Sequence, residues 1–127
     1  RREKNIDGEI SLKEIHLKME DISTNKNLLV ECKQSNSESE IIDFIQNAQN
    51  EFDGIIINAG GYTHTSISIR DALKYFDGYI IEIHMSNIHT REEFRKISMI
   101  SGVCDGLIVG FGPDSYYLAL KAITSKL

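Results

Sequence analysis

The chain has 127 residues, 41% hydrophobic and 26% charged, with a formal net charge of −5 from 14 Lys and Arg against 19 Asp and Glu. That length suits a single domain, 1–127, able to bury a core without staples. An acidic chain with no Lys/Arg cluster is a poor fit to nucleic acid, and no apolar run approaches the ~20 residues that cross a bilayer, so neither partner is expected.

Taken in chain order, helix and strand signals alternate. Ser11-Leu12-Lys13-Glu14 is a capping box, in which the Ser oxygen and the Glu carboxylate each satisfy a free backbone N–H. Ile15, Met19 and Ile22 follow at helical spacing. Leu28-Leu29-Val30 is a short apolar run, predicted as a strand. Ser37-Glu38-Ser39-Glu40 repeats the capping signal, and Ile41, Ile42, Ile45, Ala48 and Phe52 continue the apolar face. Gly54-Ile55-Ile56-Ile57-Asn58 lacks alternation and predicts a strand buried on both faces. A helix is expected over 66–75, a strand over 79–84, a helix from the Thr90-Arg91-Glu92-Glu93 box through Ile97, a strand over 106–110, and a last helix from Pro113 to about Ser125.

Four strands alternating with five helices predict a doubly wound parallel sheet with helices on both faces. Such folds usually open with a strand, and this chain opens with a helix at a residue other than Met. A further strand ahead of Arg1 is therefore expected. Cys32 and Cys104 lie far apart and form no CxxC pair, which fits small buried residues in a reducing cytoplasm.

Ligands of open α/β sheets bind beyond the carboxyl ends of the strands. Three polar segments follow strand ends here: Asn58 to Ser66, Glu82 to His89, and Gly110-Phe111-Gly112. The Gly60-Gly61 pair allows close backbone approach to a ligand, or is a plain tight turn. His64 orients a substrate or caps that turn. Glu82 and His84, two apart on a strand, share a face. A carboxylate there fixes the imidazole tautomer and favours its charged form, as a general acid requires. A structural His–Glu pair in the core fits equally well. Met85, Ser86 and Asn87 precede an expected helix N-terminus suited to an anion. Arg91 and Arg95 share a helix face and suit either an anionic substrate or a solvated surface. Ser101 and Cys104 have no catalytic context and read as structural, and the Tyr116-Tyr117 pair reads as helix packing. His64, His84 and His89 match no zinc spacing, so no metal site is expected.

Two long segments carry a resemblance. Asn58-Ala59-Gly60-Gly61-Tyr62-Thr63-His64-Thr65-Ser66 with Arg70-Asp71-Ala72-Leu73 resembles one signature of the type II dehydroquinases. Ile81-Glu82-Ile83-His84-Met85-Ser86-Asn87 through Arg95 resembles their second, and Gly110-Phe111-Gly112 through Leu120 fits as well. The resemblance implies a flavodoxin-like three-layer fold. It also implies a cytoplasmic lyase without cofactor, which dehydrates 3-dehydroquinate to 3-dehydroshikimate through an enolate, in aromatic amino-acid biosynthesis. By the same resemblance His84 protonates the leaving hydroxyl, supported by Glu82. Asn58, His64, Met85, Ser86 and Arg95 bind substrate, Asp71 reaches a neighbouring subunit's site, and trimers assemble into dodecamers.

Residues 1–8 resemble the end of the family's lid loop, with Arg2 as its essential arginine. Asp7 stands where the family has its Tyr base. An Asp, with an ordinary pKa near 3.9 against about 10 for Tyr, is the weaker base. By the resemblance, the strand ahead of Arg1 would sit centrally, between 28–30 and 54–58. Two other readings follow: an impaired homologue that binds and assembles but turns over poorly, and a flavodoxin-like small-molecule or phosphate-binding module.

Overall fold

The computed structural model describes residues 11–87 and 97–127. Helix α1 (Leu12–Asn25) starts at the expected capping box: Glu14 N donates to Ser11 Oγ and Ser11 N to the Glu14 carboxylate, both at 3.2 Å. Helix α2 (Glu38–Ala48) has half of one. Ser37 Oγ accepts from Glu40 N at 3.3 Å, while Ser37 N turns to Ser35 Oγ at 2.9 Å. Asn27 and Asn50, just beyond these helices, take φ of 58° and 67°. Asn tolerates that left-handed geometry better than most residues and so helps end a helix there.

Strand β1 (Gly54–Ile57) leads into a 3₁₀ turn (Gly60–His64) and helix α3 (Ile67–Tyr75). Strand β2 (Tyr79–His84) follows. Residues 88–96, which include most of the helix expected from Thr90, lie outside the described residues. A short 3₁₀ turn (Ser101–Val103), strand β3 (Gly106–Val109) and helix α4 (Asp114–Thr124) complete the chain.

The three strands form one parallel sheet, β1-β2-β3, with Ile57 beside Glu82 and His84 beside Val109. Side chains alternate across a strand, so β2 feeds two cores. Ile80 packs with Ile57, with Ile45 of α2 and with Ile69, Ala72 and Leu73 of α3. Ile81 and Ile83 pack with Ile15 and Met19 of α1 and with Ala119, Leu120 and Ile123 of α4. The result is a three-layer α/β/α arrangement, in keeping with the flavodoxin-like expectation.

The strand expected at Leu28-Leu29-Val30 is a correction: these residues join no ladder. A strand exists only where a neighbour stands roughly 4.8 Å away to take its hydrogen bonds. Instead, a trough of about 1480 Å³, lined on one side by 28–36 and on the other by β1, separates them. The described residues thus hold three strands and four α-helices.

One buried polar atom stands out. Thr63 is fully buried, and its Oγ1 has no hydrogen-bond partner among the described residues. An unsatisfied buried hydroxyl is a cost, which an apolar group of the same shape removes. Thr63→Val is expected to leave thermal stability unchanged or raise it by roughly 1 kcal/mol. A fall in melting temperature of several degrees would count against this.

Candidate active site

Strand β2 is the central strand, so its carboxyl end is flanked on both sides. Glu82 and His84 point from it to the same face as Ile80, and both are buried, with Glu82 at 0% exposure. The Glu82 Oε2 and His84 Nε2 atoms lie 2.5 Å apart. The expected pair therefore exists as a direct contact. Because Nε2 is committed to Glu82, Nδ1 is the ring nitrogen left to meet a ligand.

A buried carboxylate is costly unless its lone pairs are satisfied. Glu82 is satisfied. Ser101 Oγ donates to Oε1 at 2.5 Å and Ser98 Oγ to Oε2 at 3.0 Å. Burial alone would push this carboxyl up. Hydrogen bonds from His84 and Ser101, the charge of His84 and the Ser98 hydroxyl outweigh burial and hold it below its ordinary range. Glu82 is thus an anion at neutral pH. Cys104 nearby is the opposite case: burial first, then Glu82 and Asp105, push its thiol up to about 12. It remains a neutral thiol, as its structural reading requires.

The other strand ends are stitched to this one. Gly110 N donates to His84 O at 3.0 Å and Gly112 N to Met85 O at 2.8 Å, so the loop after β3 closes over the end of β2. Gly110 has a φ of 93°, the left-handed range where a side chain is strained, and packs against Asn87. After β1, Asn58 Oδ1 accepts from Gly60 N and its Nδ2 donates to Tyr116 Oη, both at 3.2 Å. Gly60 has a φ of 58° at this turn, while Gly61 does not take the left-handed range. Tyr116 is more than helix packing, because it holds Asn58 from α4. Burial pushes its phenol up, Asn58 partly offsets this, and Cys32 adds to it.

His64 closes the 3₁₀ turn, with Nδ1 2.7 Å from Ile97 O. A carbonyl can only accept, so Nδ1 carries the proton. Met99 N donates to Thr63 O at 2.7 Å. The strap 97–101 therefore joins the His64 turn on one side to Glu82 on the other.

Asp71, expected to reach a neighbouring subunit's site, sits exposed on α3, 3.4 Å from Arg70. Arg2, Asp7 and Arg95 lie outside the described residues, as do His89 and Arg91. Sequence reasoning did not single out Ser98 and read Ser101 as structural; their contacts with Glu82 show only once the chain folds. Among the described residues, no group of three His, Cys, Asp or Glu is placed to hold a metal ion.

Comparison with known proteins agrees with this geometry. The model of the family described as Dehydroquinase class II matches residues 1–124. The chain is 52% identical over 122 residues to a 3-dehydroquinate dehydratase of Nitratiruptor sp., covering 96% of this chain and 78% of that protein. It is 50% identical over 126 residues to one of Sulfurimonas denitrificans, covering 99% and 79%. The crystal structure of type II dehydroquinase from Butyrivibrio crossotus superposes with a TM-score of 0.92 at 46% identity, covering 97% of this chain and 86% of that one. These relatives overturn the binding-module reading and give no support to an impaired homologue. The chain belongs to the class II dehydroquinase family.

Proposed function

We propose that this protein dehydrates 3-dehydroquinate to 3-dehydroshikimate through an enolate, as a lyase of aromatic amino-acid biosynthesis. The observation that carries the reading is the Glu82–His84 contact at the carboxyl end of the central strand. A proton next to the ketone leaves first and its electron pair forms the enolate. The enolate then collapses as the hydroxyl departs, taking a proton from His84 and leaving as water. A ring protonated on both nitrogens can give up the Nδ1 proton while Nε2–H stays on the buried carboxylate. Elimination of water is redox-neutral, so the reaction calls for no redox cofactor.

Asn58, His64, Met85, Ser86 and Arg95 form the substrate cradle in this reading. Arg2 adds a further cation, and Asp7 stands at the base position. The placement of Asn58 and Met85 at neighbouring strand ends supports the cradle. Mixing purified protein with 3-dehydroquinate tests the reading. Growth of conjugated-enone absorbance is expected, and a flat trace would overturn it.

The protein works as a homo-oligomer of trimers assembled into a dodecamer, in the cytoplasm. Ile67, Asp71 and Tyr75, spaced i, i+4, i+8, form one exposed stripe on α3, with Ile67 58% and Tyr75 80% exposed. That stripe supports a subunit contact reached by Asp71. Two free cysteines suit a reducing compartment. No helix among the described residues is long and apolar enough to cross a membrane. Tyr75→Glu is expected to shift the mass seen by light scattering toward smaller species. An unchanged mass would remove α3 from the contact.

A further inference from the structure

We infer that Ser98 and Ser101 are positioning residues for the dehydration, clamping the Glu82 carboxylate so that it holds His84 in its working orientation. This rests on the assignment of Glu82 and His84 as the dyad of the proposed reaction.

The hydrogen-bond accounting leaves little freedom. Ser98 Oγ accepts from Ile100 N at 3.2 Å and from Ser101 N at 3.0 Å. Both are backbone donors, so the oxygen's lone pairs are used and its one proton goes to Glu82 Oε2. Ser98 thus fixes the start of the 3₁₀ turn that presents Ser101. Ser101 Oγ is in turn the partner of Oε1. His84 shares Oε2 with Ser98. Three donors on one carboxylate fix its plane, and the plane fixes where the imidazole can sit.

Removing Ser101 would leave Oε1 of the fully buried Glu82 short of its partner. The carboxylate would then become more basic, protonate at a higher pH and hold a charged ring less well. Among the described residues, the titratable groups facing Glu82 are His84 on its own strand and Cys104 beyond the 3₁₀ turn. The thiol is neutral across the working range. The flanking strands offer only Ile57 and Leu107 at this level.

The experiment compares Ser101→Ala, Ser98→Ala and Ser101→Thr with the unchanged protein. Ser101→Ala is expected to lower kcat by roughly 10- to 100-fold with little change in KM, as loss of a hydrogen bond to a charged group implies. The acid limb of its kcat/KM profile should move to higher pH, and Ser101→Thr should restore both. Carbon-13 NMR of the Glu82 carboxyl gives a reading that needs no turnover. Its titration midpoint should rise in both alanine variants. A folded Ser101→Ala protein with an unmoved midpoint overturns the proposal, even if kcat falls. If the unchanged protein fails to turn over 3-dehydroquinate, the dehydratase reading falls, and the NMR midpoint still decides the clamp. Should Ser101→Ala not fold, Ser98→Ala and Ser101→Thr carry the same comparison.

Discussion

Replacing His84 with alanine is expected to lower turnover of 3-dehydroquinate by roughly 10²- to 10⁴-fold, the usual worth of a positioned general acid. The reason is geometric. His84 ends the central strand with one nitrogen bound to a buried carboxylate, and no other described side chain makes that contact at the strand end. KM should move far less than kcat, because the cradle residues remain. Stability readings separate this from a folding defect: the variant should melt at a lower temperature but still cooperatively, since Glu82 loses its His84 partner and keeps Ser98 and Ser101. Steady-state kinetics beside a thermal melt checks both halves. An unchanged kcat in a folded variant would remove His84 from the chemistry.

Glu82→Ala is expected to be the more damaging change to the fold. It strips the partner from His84, Ser98 and Ser101 at once, around a carboxylate that is itself fully buried. Removing one member of a buried ion pair costs roughly 3–5 kcal/mol, a large share of a small domain's stability. Glu82→Gln keeps the shape but not the charge and should retain more stability than activity. The unaltered carboxyl also sets a pH dependence. Its folded pKa lies below the unfolded value of about 4.3. Its contribution is therefore fully present above that value and is lost as pH falls through the lower, folded value. Acid unfolding followed by circular dichroism should show this loss in the unaltered protein and not in Glu82→Gln. A matching acid transition in both would show that other carboxylates control it.

Legibility in the sequence followed the range of each interaction. Helix α1 could be read because its capping box is local: Ser11 and Glu14, three residues apart, bond each other reciprocally. Strand β2 and the shared face of Glu82 and His84 followed from period-two geometry alone. The run at 28–30 could not be read correctly, because a strand is defined by its neighbour and the nearest ladder stands across a trough. Ser98 and Ser101 were invisible for a related reason. They lie 16 and 19 residues from Glu82, and only folding brings their hydroxyls onto it. Tyr116 was half-read: its place on a helix was legible, but its bond to Asn58 spans 58 residues. Asp71 was found by motif and sits away from the strand ends, because its place on α3 points it outward.

Deuterium uptake by 3-dehydroquinate in heavy water, measured with the His84→Ala variant, tests most directly whether this ring serves the departing hydroxyl. Deuterium should still enter next to the ketone, through an enolate that forms and reverts, while enone formation collapses. Loss of exchange and dehydration to the same extent would contradict it and move His84 to the proton-removal step or to binding.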